Sequence, residues 1–87
     1  MKTLEEIKEY ITERFNEEII VYDKPSYAEA FIGISNDNRA IYSYNKMVDW
    51  LIKEDDISEE EAIEFIDYNT LGAYYSDKQP IVCFDID

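Results

Sequence analysis

Eighty-seven residues, 46% hydrophobic and 15% aromatic, suffice for one folded domain with a thin core and leave no room for a second. The net charge of −13 and the absence of His argue against direct nucleic-acid binding, against anionic membrane surfaces, and against Ser-His, Cys-His or Cys/His zinc chemistry. A single cysteine excludes an internal disulfide, no apolar stretch nears the roughly 20 residues of a membrane span, and the charged MKTLEEIKEY start is no signal peptide, so a cytoplasmic setting is expected.

The first predicted element is a helix from about Leu4 to Phe15. Thr3 and Glu6 form a capping-box pattern, and Leu4, Ile7, Ile11 and Phe15 recur at helical spacing. The β-branched run in EIIVYD (Glu18 to Asp23), closed by Lys24 and Pro25, predicts a strand. Two more short strands follow, AFIGIS (Ala30 to Ser35) and AIYSY (Ala40 to Tyr44), joined by the polar tetrapeptide NDNR as a hairpin. Gly33 inside its strand points to a bulge, to the close approach of a helix, or simply to room for an aromatic ring across the strand.

Asn45 is the expected N-cap of a helix over KMVDWLIKE, interrupted at Asp55-Asp56. Ser58 and Glu61 make a second capping box, with Ile57 placed to staple onto Ala62. Glu59, Glu60 and Glu61 fill the first turn, where the helix dipole favours negative charge. That helix is predicted to run to about Thr70 or Leu71 and to stop at Gly72. A polar, Tyr-containing loop over Ala73 to Gln79 leads through Pro80 into a terminal strand, IVCFDI, with Cys83 as a buried strand thiol.

The order α-β-β-β-α-α-β describes a single α+β domain over residues 1–87. A three- to four-stranded, mostly antiparallel sheet is expected, with helices packed on one face. The other face, carrying some of Tyr22, Tyr42 and Tyr44, is expected to stay open to solvent or a partner, since so short a chain cannot cover both sides.

Carboxylate pairs invite a hydrolase reading, but acid and base roles need a cleft and surroundings that push two pKa values apart. Here the carboxylates crowd on helix surfaces. DDISEEEAIEF offers alternating oxygens for calcium yet lacks the glycine that turns an EF-hand loop, and Ser58 is better used as a cap. With two glycines in the chain, neither a P-loop nor a GxGxxG turn can be built. No catalytic, cofactor-binding or metal-binding residue is therefore expected, and the protein reads as non-enzymatic.

The densest feature lies between Asp49 and Asp67, where nine carboxylates stand against one cation, Lys53. Because the charges alternate with apolar residues at helical spacing, they form the solvated face of a folded element rather than a disordered tail. Such a face either serves solubility alone or meets a cationic partner. The candidate partner-binding residues are Asp49, Glu54, Asp55, Asp56, Glu59, Glu60, Glu64 and Asp67, with Tyr68 and Asn69 as neighbouring contacts. Carboxylates one helical turn apart, roughly 5–6 Å, repeat at an interval of the same order as phosphates along a strand. The expected partner is the basic surface of a nucleic-acid-binding protein, reached by nucleic-acid mimicry. The alternative is a small homodimerising domain whose acidity serves only solubility.

The segments SYAEAFIGISNDNRAIYSYNKMVDWL, SEEEAIEFIDYNT and PIVCF resemble a family of small uncharacterised acidic proteins from Firmicutes and their phages and mobile elements. The resemblance spans roughly Ser26 to Ile86. It rests on Ala30, Ile32, Gly33, Arg39, Ala40, Tyr42, Tyr44, Lys46, Met47, Glu61-Ala62, Ile66, Tyr68-Asn69-Thr70 and Pro80-Ile81. Where such relatives often place a basic residue after the Tyr-Asn-Thr run, this chain has Leu71-Gly72-Ala73. The resemblance implies a single domain and a mobile-element association, and transfers no site residues.

Overall fold

The computed structural model describes residues 3–15, 18–72 and 76–86. Helix α1 (Leu4–Arg14) opens on the capping box: the Thr3 hydroxyl accepts from the Glu6 amide, and the Glu6 carboxylate accepts from the Thr3 amide. These two reciprocal bonds satisfy backbone donors that the first turn would otherwise leave free. Ile7 and Ile11, four residues apart, are its buried stripe, and Phe15 leaves the helix in an extended conformation.

The run Glu18 to Asp23 belongs to no strand, contrary to the expectation from its β-branched residues. Its contacts are made by side chains instead. Ile19 is buried, Val21 and Tyr22 pack on the core, and the Tyr22 amide donates to the Tyr42 hydroxyl at 3.2 Å. β-branching favours an extended backbone; whether a ladder forms depends on which neighbour is available, and that is not a local property.

After a short 3-10 turn (Ala28–Ala30), β1 (Phe31–Ile34) and β2 (Ala40–Ser43) form the expected antiparallel hairpin. Asn38 in the connecting loop takes a left-handed conformation (φ 63°), which Asn tolerates better than most residues. The register slips between Phe31 and Gly33, so of the alternatives left open at the strand glycine the bulge is the one present. β3 (Ile81–Cys83) then pairs with β2 in parallel, giving the order β1-β2-β3. The sheet is thus three-stranded and mixed rather than mostly antiparallel. A parallel neighbour needs a long crossover, which the helices between β2 and β3 provide.

Helix α2 (Tyr44–Asp55) starts directly at the end of β2. Ser43, not Asn45, is the N-cap: its hydroxyl accepts from the Lys46 amide at 3.2 Å. The same hydroxyl donates to Asp85 at 2.6 Å, and the other Asp85 oxygen accepts from the Asn45 amide at 3.3 Å. Asn45 sits one position inside the helix because Tyr44, expected in the strand, is its first helical residue. Two loop contacts fix the approach to β3: Arg39 Nε donates to the Gln79 carbonyl, and Lys78 Nζ to the Asp37 carbonyl, each at 2.9 Å.

Asp56 turns left-handed (φ 53°) after α2, and α3 (Glu59–Phe65) begins behind the Ser58/Glu61 capping box. α2 packs against β2, α3 and the 3-10 turn. The core collects Ile7, Tyr27, Phe31, Tyr42, Met47, Leu51 and Ile66. Tyr42 is 0% exposed, so it does not contribute to an open sheet face. Its in-register partner Val82 also packs on the core, which turns Ile81 and Cys83 outward. Cys83 is accordingly exposed, not buried, because strand alternation gives the inward position to Val82. Of the other expected tyrosines, Tyr22 and Tyr44 are half-buried and pack against the core.

Asp85 has its carboxyl held below the ordinary aspartate range, first by the Ser43 hydroxyl bond. A lowered folded-state pKa means stability present above the unfolded value near about 3.9 and lost as pH falls through the lower folded one. Asp85→Asn is expected to melt below the parent at pH 7, and the gap to close only at acidic pH. Thermal melts followed by circular dichroism across that range check it.

Candidate functional site

α3 continues without a break into a π-helical segment, Ile66–Leu71, so the last helix reaches Leu71 as its sequence predicts. Ala62, Ile66 and Thr70 face inward and are buried, whereas Glu60, Glu61, Glu64, Asp67 and Tyr68 are exposed. Three- and four-residue spacings place these five on one side of the helix. Tyr68 is 84% exposed, the most exposed tyrosine among the described residues.

The helix is fastened from behind. The Tyr27 and Thr70 hydroxyls share a buried hydrogen bond of 2.9 Å, and Tyr27 packs edge-on to Tyr22 and against Trp50. Gly72 ends the π segment in a right-handed conformation, not the left-handed one that usually recruits glycine to helix ends. Its role is close approach: a Cβ there would lie 2.8 Å from the Tyr68 carbonyl oxygen.

The ten candidate residues do not form one surface. Asp49 and Glu54 lie five residues apart on α2, about 140° around the helix at 100° per residue. Asp49 faces a mixed groove with Glu29, Lys46, Trp50 and Lys53. Glu54 and Asp55 end α2, Asp56 is its C-cap, and Glu59 opens α3. Glu60, Glu64, Asp67 and Tyr68 share the solvent face of the last helix. Asn69 is adjacent, but its side-chain amide donates to the Phe65 carbonyl at 3.3 Å.

Two residues outside the candidate set complete this face. Glu61 and Phe65, together with Glu64, Tyr68 and Asn69, line a shallow depression of about 370 Å³. The signal for them was the 61-64-65-68 spacing; Glu61 was read only as a cap. It does serve as one, accepting from the Ser58 amide and hydroxyl.

Lys53, the cation within the acidic stretch, pairs at 3.3 Å with Glu29, outside that stretch. Among the described residues this is the one ion pair, so within them the carboxylates of the helix face carry no cationic partner. Their field reaches inward: Tyr44 titrates above its ordinary range through burial and then through the negative charge of Asp67. Among the described residues no three Cys, Asp or Glu side chains converge where a metal could sit, and no helix is long and apolar enough to cross a membrane. What the arrangement offers chemically is fixed negative charge beside an exposed aromatic ring, a combination suited to Lys or Arg side chains. Comparisons of the chain with protein-family models, curated proteins and solved structures find no match.

Two substitutions behind the face have defined consequences. Tyr27→Phe leaves the Thr70 hydroxyl buried without its partner, at an expected cost of about 1–3 kcal/mol. Burial also raises the Tyr27 pKa, so its contribution is intact below the unfolded value near about 10 and is lost as pH rises through the folded one. The alkaline limb of the stability profile should therefore soften in the variant. Gly72→Ala should destabilise by about 1–3 kcal/mol through overpacking against the Tyr68 carbonyl. Urea unfolding at pH 7 and above pH 10 reads both.

Proposed function

We propose that this protein is a non-enzymatic, acidic interaction module that docks on the basic surface of a nucleic-acid-binding protein. The observation that carries the reading is the face of the last helix, where Glu60, Glu61, Glu64 and Asp67 are exposed, lack ion-pair partners within the described residues, and flank Tyr68. Carboxylates one turn apart would meet Lys and Arg rows that otherwise grip phosphates, and the tyrosine ring would stack on a guanidinium. The tip formed by Glu54, Asp55, Asp56 and Glu59 would extend the contact, whereas Asp49, beside Lys46 and Lys53, is not assigned a role in it. With the resemblance to proteins of phages and mobile elements, the reading becomes that of an element-encoded inhibitor that mimics nucleic acid in a host defence or regulatory protein.

A second reading has its own support. Ile32, Phe84 and Ile86 are 46%, 64% and 98% exposed, and Ile81 and Cys83 turn away from the core, so apolar side chains are available for a second copy. The net charge of −13 works against bringing two copies together.

Affinity capture from a host lysate at ~50 mM and ~500 mM salt tests the first reading, because screening weakens ion pairs between exposed charges. Recovery of a basic protein that falls at least about tenfold at the higher salt is expected. The variant Glu60→Lys/Glu64→Lys, with an unchanged circular dichroism spectrum, should lose it. Retained binding in that variant, or a salt-insensitive complex, removes the electrostatic basis. Sedimentation showing a stable dimer and no basic partner would favour the second reading.

A further inference from the structure

Resting on the acidic-face reading above, we infer that the depression on the last helix selects arginine over lysine: one guanidinium of the basic partner lies flat on the Tyr68 ring with its edge toward Glu61 and Glu64.

Helix α1 shows the same arrangement already filled. Tyr10 has Glu6 four residues before it and Glu9 one before it, and Glu6 and Tyr10 line one groove. Arg14, four residues after Tyr10, sets its guanidinium 4.9 Å from the ring centre. There the chain supplies its own cation.

The last helix repeats the pattern without that cation. Tyr68 has Glu64 four residues before it and Asp67 one before it, and Glu64 and Tyr68 line the same depression. Four residues after Tyr68 comes Gly72. A side chain is excluded at that position, because a Cβ would come within 2.8 Å of the Tyr68 carbonyl oxygen. The fold thus denies this ring a cation where α1 provides one. The ring is 84% exposed, and among the described residues no Lys or Arg lines the depression. The cation that completes the pattern has to come from another molecule.

The acceptors are set for a donor fork. Glu61 Oε1 accepts from the Ser58 amide and hydroxyl, each at 3.2 Å, which orients the carboxylate and leaves Oε2 for an incoming donor. Glu64 is exposed and has no partner among the described residues. The Asn69 amide nitrogen donates to the Phe65 carbonyl, so its oxygen remains as a further acceptor at the rim. A guanidinium carries five donors in one plane and presents a flat face, so it meets carboxylates at its edge and a ring at its face together. An ammonium is a compact, strongly hydrated point charge with no face to stack.

The probes are acetylated, amidated Gly-Gly-Arg-Gly-Gly and Gly-Gly-Lys-Gly-Gly peptides, read at low salt by amide chemical shifts of the isotope-labelled full chain. The Arg peptide is expected to shift Glu61, Glu64, Phe65 and Tyr68 and to bind at least about threefold tighter than the Lys peptide. A citrulline peptide, planar but uncharged, should shift none of them. Tyr68→Leu keeps every carboxylate and should bring the Arg and Lys affinities within about twofold of each other. Arg14→Ala, which uncovers the Tyr10 ring, should add a second Arg-responsive site at Glu6 and Tyr10. Equal Arg and Lys affinity in the parent, an Arg preference that survives Tyr68→Leu, or an equal response to citrulline overturns the arginine selectivity. The first two leave the acidic-face reading standing. An uncovered Tyr10 that ignores the Arg peptide overturns the selectivity as well. No shift on the helix face with either charged peptide overturns both, so the two readings fail separately.

Discussion

Aromatic contact is the constraint on which the rest of the molecule depends. Tyr22, Tyr27, Trp50, Tyr42 and Phe31 form a continuous chain of ring contacts with centroid separations between 4.7 and 5.7 Å. It joins the segment between α1 and the 3-10 turn, the region of that turn, helix α2 and the two hairpin strands. A chain of this length buries too little surface to be fixed by small aliphatic residues alone, and each ring supplies a large apolar area. The hydroxyls of the two fully buried tyrosines are satisfied, Tyr27 by Thr70 and Tyr42 by the Tyr22 amide. Burying either ring with its hydroxyl unpaired would offset much of what the ring contributes.

What was legible in the sequence was mostly local. Both capping boxes, the hairpin loop, the bulge at the strand glycine and the break at Asp55-Asp56 depend on residues three or four positions apart, and all are present. Features set by distant partners were not legible. Ile19 to Val21 has strand composition but meets side chains instead of a ladder. Ser43 rather than Asn45 caps α2 because the helix starts already at Tyr44, and Asp85, forty-two residues on, accepts from the capping hydroxyl. Cys83 points outward because a parallel register gives Val82 the inward position. The candidate acidic residues were identifiable by type, but the division among the face of the last helix, the α2–α3 junction and the mixed groove came from helix rotation and from Lys46 and Lys53.

The acidic helix face and its anchoring are one physical problem. Like charges on adjacent turns repel, and an isolated helix carrying them would gain little from its own side chains. Here the opposite side is secured by Ala62, Ile66 and the Thr70 bond to Tyr27, so repulsion is borne by tertiary packing. The π segment widens the last turns, and Gly72 admits the backbone that results. Rigid support of this kind is what allows charges to hold a pattern instead of merely a sum.

The parallel pairing of β2 with β3 carries a consequence for how the chain assembles. β1 and β2 close across a short loop, a cheap event in loop entropy, whereas β3 has no edge beside it until the α2–α3 pair has folded back over the sheet. The Asp85 clasp on the first turn of α2 can form only at that stage. Helix α2 must therefore begin without its outermost acceptor, relying on the Ser43 hydroxyl alone, and the final strand acts as a late lock on an architecture already largely in place.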